Sequence, residues 1–206
     1  TIALLTRDQA PDWLARTRVD GRLAGLTSDD LAFDLEEGAS LLRGLGLDLG
    51  AAEVEGIVAH TEGWAVGMYL TALALSTQPA AQRPAEMVLA RGSDPFITDY
   101  LSTQVLALLD EDHRGFLKRS SILEELNGPL CDAVLGRADS AAVLANLHRH
   151  LQLVIALDGD GPRFRYHHLL AEALTADLHT QNPDEIAGLH ERAARWYEAH
   201  GDSARA

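Results

Sequence analysis

Several features that define common classes of protein are scarce in this 206-residue chain. Its single cysteine, Cys131, excludes an intrachain disulfide and fits a reducing cytoplasm. No apolar run approaches the roughly 20 residues that a membrane-spanning helix needs, and the N-terminus lacks the pattern of a signal peptide. Aromatic residues make up only 5% of the chain, so Ala and Leu supply most of its 47% hydrophobic content. That composition favours helices packed on helices.

Basic residues are also few. The chain has 17 Lys and Arg against 31 Asp and Glu, which gives a formal net charge of −14. A surface that binds duplex DNA needs clustered Lys and Arg to displace counterions. We therefore expect no direct DNA binding from this chain.

Motifs of the common enzyme classes are missing from the sequence. There is no Gly-x-x-x-x-Gly-Lys-Ser/Thr phosphate loop and no Gly-x-Ser-x-Gly elbow. The spacings of His148 with His150, and of His167 with His168, make their side chains diverge, so no zinc site is predicted. Residues 153–158 resemble the strand and Asp that position magnesium in P-loop enzymes, but a wing strand that enters a turn explains them better. We expect no catalysis from the chain itself.

Helical patterns fill most of the chain. Apolar spacing, N-caps and glycine stops predict helices over residues 35–44, 51–62, 64–75, 85–91, 95–109, 112–122, 130–135 and 141–150. Asp34 and Asp139 are the predicted caps of two of them. Residues 151–157 and 163–166 are β-rich and flank turn residues, which predicts a hairpin. The order of three helices, a hairpin and a helix over about 111–179 is that of a winged-helix domain.

Both ends of the chain predict unfinished architecture. Residues 2–7 look like a buried strand of a parallel sheet, and Arg7 stands at the strand end where such sheets bind ligands. Near the other end, Asp184 is predicted to cap a helix that Gly201 closes, and residues 202–206 begin a partner helix. We therefore expect the chain to be an excised part of a longer protein.

Taken in order, four stretches resemble the MalT-type large ATP-binding LuxR regulators, a branch of the STAND ATPases related to NB-ARC proteins. The stretches are LLTR at 4–7, TEGWAVGM at 61–68, SSIL at 120–123 with GPLCD at 128–132, and RYHHLL at 165–170. The resemblance covers essentially the whole chain, as the C-terminal part of the ATPase module.

This resemblance implies a mainly α fold in four parts. Residues 1–34 would be the C-terminal edge of a nucleotide-binding α/β domain, with a residual strand. Residues 35–110 would form a helical lid subdomain. A winged-helix domain with a small β-hairpin would follow at 111–180, and 181–206 would start a TPR-like helical-repeat sensor arm.

The resemblance also implies a set of residues that bind the nucleotide. They are Arg7, Gly63, Trp64, Ala65 and His167. Arg7 matches the sensor-1 arginine that faces the terminal phosphate, and a guanidinium suits that role. Residues 63–65 match a Gly-x-Pro turn beside adenine, with Ala65 in place of the proline. His167 matches the histidine of the Met-His-Asp motif, which contacts the β-phosphate of ADP, while His168 replaces the Asp.

The implied function is nucleotide sensing in the cytoplasm. The chain would share ADP or ATP with an upstream domain, which alone would hold magnesium, and would couple the nucleotide state to self-association of a transcriptional activator. His167 lies where a strand meets a helix N-terminus, a place favourable for anions. Two alternatives stay open: a helical scaffold that binds protein and no nucleotide, and a winged-helix DNA binder.

Overall fold

A computed structural model of the chain describes residues 3–4, 12–77, 95–151, 153–157 and 161–202. Over these residues the chain forms ten α-helices and a two-stranded antiparallel sheet. The helices are α1 (Ala15–Val19), α2 (Leu35–Gly44), α3 (Ala51–Thr61), α4 (Ala65–Ser76), α5 (Pro95–Tyr100), α6 (Glu111–Ser120), α7 (Gly128–Leu135), α8 (Ser140–His150), α9 (His168–Gln181) and α10 (Pro183–Ala199). Strands β1 (Val154–Leu157) and β2 (Arg163–Tyr166) pair as a hairpin. The predicted mainly α fold with a small hairpin is confirmed.

Helices α2, α3 and α4 form a helical subdomain with its own core. Asp34 caps α2 as predicted: its Oδ1 accepts hydrogen bonds from the Glu36 and Glu37 N–H groups, and the Glu37 carboxylate accepts from the Asp34 N–H. This reciprocal capping box satisfies backbone donors that the first helical turn leaves free. The buried core of the subdomain consists of Leu42, Leu47, Val54, Ile57, Met68, Ala72 and Leu75.

A winged-helix domain follows, built from α6, α7, α8 and the hairpin. The hairpin register sets Val154 opposite Tyr166. Leu126, between α6 and α7, exchanges two backbone hydrogen bonds with Phe164, with N···O distances of 2.7 and 2.8 Å. One bridge thus adds a third strand position to the edge of the sheet. A single apolar cluster joins this domain to α9 and α10.

The region predicted as one helix over residues 95–109 is less regular than predicted. The α-helix ends at Tyr100, and the chain then continues through a π-helical turn (Leu101–Val105) and a 3-10 turn (Leu106–Leu108). Leu101 and Leu106 are buried in the larger core. A local change in helical period keeps both side chains on the core side.

Helix α10 begins two residues earlier than predicted. Asp184 does not cap it; the helix starts at Pro183 after Asn182, and Asp184 lies in its first turn. Proline suits the first helical position because its missing N–H would have no partner there. Gly201 follows the helix with φ 77°, as a glycine stop requires.

The predicted cap of α8 is also different in detail. Asp139 precedes the helix, but its side chain makes no capping hydrogen bond. Its carboxylate instead accepts from Arg137 Nε at 2.6 Å. The Ser140 N–H at the helix start is satisfied by Asp132 Oδ1 at 3.0 Å.

Several predictions fall outside the described residues. These are most of the strand at 2–7 with Arg7, the helix at 85–91, the hairpin turn at 158–160 and the partner helix at 203–206; residues 3–4 are described and are not in a strand. None of the described helices combines the length and apolar character needed to cross a membrane.

The buried Tyr166 hydroxyl ties β2 to α6. It lies 2.7 Å from Ser120 Oγ, which itself donates to the Phe116 carbonyl at 2.6 Å, so the tyrosine must donate to the serine. We expect Tyr166→Phe to lower the free energy of unfolding by about 0.5–1.5 kcal/mol, measured by urea denaturation. Combined with Ser120→Ala, the cycle should show a coupling of about 1 kcal/mol; strictly additive losses would contradict the assigned bond.

Candidate functional site

Two of the four stretches that carry the resemblance meet between the helical subdomain and the winged-helix domain. Residues 61–64 form the turn from α3 to α4, and residues 165–169 lead from β2 into α9. We call these two segments and the contacts between them the domain seam.

The turn at residues 61–64 has an unusual backbone. Glu62 closes α3 with φ 49° and ψ 34°, and among the described residues no other non-glycine residue has a positive φ. Gly63 follows with φ 71°, and its carbonyl accepts from the Phe33 N–H at 2.8 Å. A Cβ at Gly63 would lie 2.7 Å from the Phe33 carbonyl oxygen. The glycine therefore has a steric reason to be there, independent of any ligand.

The Glu62 carboxylate is the centre of the polar contacts across the seam. Its two oxygens accept from the Arg165 guanidinium at 2.8 and 2.6 Å, and Oε1 also accepts from the His168 N–H at the start of α9 at 3.0 Å. Burial by itself would raise the pKa of Glu62. The hydrogen bonds from Arg165 and His168 and the charges around them outweigh burial and lower the pKa to about 2. The carboxylate also faces the favourable positive end of a helix dipole.

His167 is buried, and both of its ring nitrogens are engaged within the protein. Nδ1 accepts from the Leu169 N–H at 3.2 Å and so caps α9. Because a backbone N–H can only donate, the ring hydrogen is on Nε2, which donates to the Thr61 carbonyl at 3.0 Å. Burial lowers the pKa of His167, so the ring is neutral at pH 7. This one side chain thus starts a helix and bridges the seam.

The structure brings together four of the five residues that the resemblance assigned to a nucleotide. Gly63, Trp64, Ala65 and His167 all lie at the seam or beside it, while Arg7 is outside the described residues. The Trp64 ring meets His167 edge-on at 5.8 Å and Tyr100 at 5.9 Å, and Ala65 opens α4. The nucleotide-binding roles of all five remain predictions.

Sequence reasoning missed the ionisable pairs that cross the seam. Glu62 and Arg165 are 103 positions apart, and no local pattern pairs them. His60 Nε2 similarly lies 3.4 Å from Glu172 Oε2, between α3 and α9. Burial lowers the pKa of His60 and raises that of Glu172. The available signal was only that Glu62 and Arg165 both stand in stretches that carry the resemblance.

The other residues that the sequence offered for metal binding or nucleophilic catalysis have structural roles. Within the described ranges no group of three or more His, Cys, Asp or Glu could hold a metal ion. His148 Nδ1 bonds the Val154 carbonyl at 2.8 Å. Burial raises the pKa of the Cys131 thiol to about 12, which makes it a poor nucleophile.

Comparison with known proteins identifies relatives of this region. Residues 102–186 match the family described as MalT winged helix domain. The chain is 32% identical over 190 residues to the serine/threonine-protein kinase PknK of Mycobacterium tuberculosis. The aligned residues make up 91% of the chain and 17% of that kinase. It is 31% identical over 209 residues to the HTH-type transcriptional regulator MalT of Yersinia enterocolitica, covering 100% of the chain and 23% of the regulator.

A second regulator gives the same picture. The MalT protein of Vibrio cholerae is 28% identical over 201 residues, which cover 97% of the chain and 22% of that protein. The chain therefore spans about a fifth of the length of the curated relatives it matches.

Gly63 and Gly46 provide a matched test of the turn geometry. Both have positive φ, but a Cβ at Gly46 would meet nothing within 4 Å. We expect Gly46→Ala to cost roughly 1–2 kcal/mol of unfolding free energy from the left-handed backbone alone. Gly63→Ala should cost a further 1–3 kcal/mol, roughly, because it also forces Phe33 to move. Equal losses in urea denaturation would contradict the tight approach.

The depressed pKa of Glu62 predicts a pH dependence of stability. The pKa of Glu62 is about 2 in the folded chain, against 4.5 for an ordinary glutamate, so the unfolded chain binds the proton more readily. The stability that Glu62 contributes is therefore complete above about pH 5 and is lost as the pH falls towards 2. Wild type should be more stable than Glu62→Gln by about 1–3 kcal/mol at pH 7, and the difference should shrink by pH 3.

The control for this experiment is Glu55→Gln, which removes an exposed carboxylate from the same helix. It should leave the free energy of unfolding within about 0.5 kcal/mol of wild type at every pH. A Glu62→Gln difference that stays constant from pH 7 to pH 3 would show that the carboxylate is not stabilised in its ionised form.

Proposed function

The chain belongs to the MalT-type regulators, whose winged helix domain it carries over residues 102–186, and on this premise we propose that it senses nucleotide within a longer regulator. That regulator is an ATP-dependent LuxR-type transcriptional activator of the STAND class, related to NB-ARC proteins and cytoplasmic. In this proposal the four parts predicted above (1–34, 35–110, 111–180 and 181–206) keep their roles. The region binds ADP or ATP with an upstream domain and passes the nucleotide state on to self-association.

The observation that carries this proposal is the position of the His167 Nε2–H group. It belongs to the winged-helix side of the seam, and in the described arrangement it donates to the Thr61 carbonyl of the helical side at 3.0 Å. A phosphate oxygen is a stronger acceptor than a neutral carbonyl. ADP therefore takes this hydrogen from the Thr61 carbonyl and ties the winged helix to its phosphate in the closed arrangement. Loss of this contact when ATP replaces ADP favours the open arrangement.

Separate cores on the two sides of the seam support a movement of this kind. The helical subdomain has its own buried cluster, and the winged helix shares a second one with α9 and α10. From the helical side, the partly buried Trp64 and Leu70 pack against this second cluster. Close-packed cores resist internal deformation, so domains with separate cores move as bodies about the interface between them. A ligand with different affinity for two such arrangements shifts their populations.

The relatives also support a regulatory role. This region is shared by a protein named as a kinase and by proteins named as transcriptional regulators. A region shared by a kinase and by transcriptional regulators fits a control function better than it fits the kinase activity or the transcriptional activity. In keeping with this, α8 lies at the position of a recognition helix and exposes Ala141, Ala142, Ala145, Arg149 and His150. Its single arginine offers too little positive charge for a DNA backbone.

A helical scaffold that binds no nucleotide is the second candidate. One observation favours it: both ring nitrogens of His167 are already satisfied by Thr61 and Leu169. A residue with that set of bonds needs no ligand to explain it. The two candidates differ in whether the full-length protein binds adenine nucleotide.

We expect His167→Asn to separate the ligand role of the residue from its capping role. Asparagine retains a side-chain oxygen that can cap α9, but it lacks the Nε2 donor. A hydrogen bond to a charged phosphate contributes roughly 1.5–3 kcal/mol, so ADP affinity should fall about ten- to a hundredfold, with a smaller loss for ATP. The measurement is calorimetric titration of ADP and of ATP into the full-length protein.

The exposed neighbour provides the control, because His168→Asn removes an imidazole without touching the Nε2 donor of His167. Its ADP affinity should match that of the wild type. Unchanged ADP binding in His167→Asn would refute the phosphate contact. Absence of ADP and ATP binding in the wild type would favour the scaffold.

A further inference from the structure

The Glu62 contacts give the domain seam a feature that the role of His167 does not require. We infer that the Glu62 carboxylate is a latch, which holds the winged-helix domain against the helical subdomain in the resting arrangement and sets how readily they separate. Only the link from the latch to activation rests on the proposed nucleotide function. The latch itself rests on the contacts of Glu62.

The latch is asymmetric. The helical side contributes one carboxylate, and the winged-helix side contributes three donors: two from the Arg165 guanidinium at 2.8 and 2.6 Å and the His168 N–H at 3.0 Å. The Glu62 side chain is 19% exposed, so water screens these bonds only partly. Bidentate arginine–carboxylate pairs are among the strongest polar contacts in proteins. One residue thus joins the helical subdomain to both β2 and α9.

The backbone of Glu62 is what aims its carboxylate. The residue has φ 49°, a left-handed backbone conformation that residues other than Gly, Asn and Asp rarely adopt. Strained backbone of this kind persists only where surrounding contacts stabilise it. Here two turn hydrogen bonds hold the left-handed end of α3: the Glu62 N–H donates to the Ala59 carbonyl at 3.2 Å and the Gly63 N–H to the Val58 carbonyl at 3.0 Å. The bonds to Arg165 and His168 then hold the side chain across the seam.

The other charged groups at the seam make the loss of Glu62 more severe. Arg165 is 31% exposed and is close to His167 and His168, while His60 and Glu172 form a separate contact. His168 Nδ1 also lies 3.5 Å from Glu62 Oε1. Without Glu62, the Arg165 guanidinium would lose both carboxylate oxygens in the closed arrangement and would keep the Tyr166 carbonyl at 3.3 Å. Opening the seam would return it to water.

Neither domain needs Glu62 for its own core. Both buried clusters are complete without it, and the apolar part of the seam, where Leu169 packs closely on Gly67, involves other residues. Removing the carboxylate should therefore loosen the seam and leave both domains folded. In the proposed regulator, a looser seam lowers the free energy that nucleotide must supply to open it.

The experiment measures a distance across the seam in the full-length protein. Spin labels are attached at Ala52→Cys on α3 and His179→Cys on α9, both exposed positions, while the native Cys131 is buried. Pulsed electron spin resonance then reports closed and open arrangements as separate distances. Glu62→Gln should raise the ratio of open to closed molecules about ten- to a hundredfold relative to the same labelled protein without it.

Three further variants define the cause. Glu55→Gln removes an exposed charge from the same helix and should leave the distances unchanged. Glu62→Gly removes the carboxylate together with the backbone strain, and should open the seam as Glu62→Gln does. Arg165→Gln combined with Glu62→Gln should open it no further than the stronger single variant, because both remove the same contact.

Failure of the latch can be distinguished from failure of the proposed function. Wild-type distances in Glu62→Gln, or opening in Glu55→Gln as well, would overturn the latch, whatever the ADP titration shows. Opening in Glu62→Gln and Glu62→Gly alone supports the latch even if the wild type binds no ADP, which would refute nucleotide sensing only. If ADP binds, Glu62→Gln should also self-associate at a lower ATP concentration than the wild type, measured by light scattering.

Discussion

The arrangement of this protein depends on one charge placed at a helix start. The Glu62 carboxylate leaves a strained turn, reaches the first N–H of α9 and pairs with Arg165 on the adjoining strand. Each donor satisfies an anion that would be costly to bury alone. The two sides belong to domains with their own cores, and hydrophobic burial alone would specify the relative orientation of these domains less well. The polar contact at Glu62 therefore makes that orientation more specific.

In the proposed function, His167 serves architecture and nucleotide sensing together. As the residue before α9, it caps the helix with Nδ1, and this bond determines that Nε2 carries the hydrogen. The donor is therefore directed at the helical subdomain before any ligand is considered. A nucleotide that used it would exploit a tautomer already determined by folding, with burial keeping the ring neutral.

The elements with local signals were predictable. The helix cap at Asp34, the return strand at 163–166 and the order of the winged-helix elements follow from side chains within a few positions of each other. Where two local signals competed, prediction was less accurate. Asp184 resembled a cap, but Pro183 began the helix, and Asp139 preferred Arg137 to the backbone of α8. No residue near Tyr100 signals that the α-helix ends there. The end follows from the burial of Leu101 and Leu106 in the core, which is a tertiary property.

The sequence by itself determined the mainly helical class, the hairpin and the stretches that would matter, because helix periodicity, turns and caps are short-range properties. Only the tertiary structure decided what those stretches do to one another. It set Glu62 against Arg165 and directed His167 at Thr61, which are separated by 103 and 106 positions. The physical reason is that an ion pair or a shared hydrogen depends on distance in space, and spacing along the chain does not encode which distant acceptor a buried donor will meet.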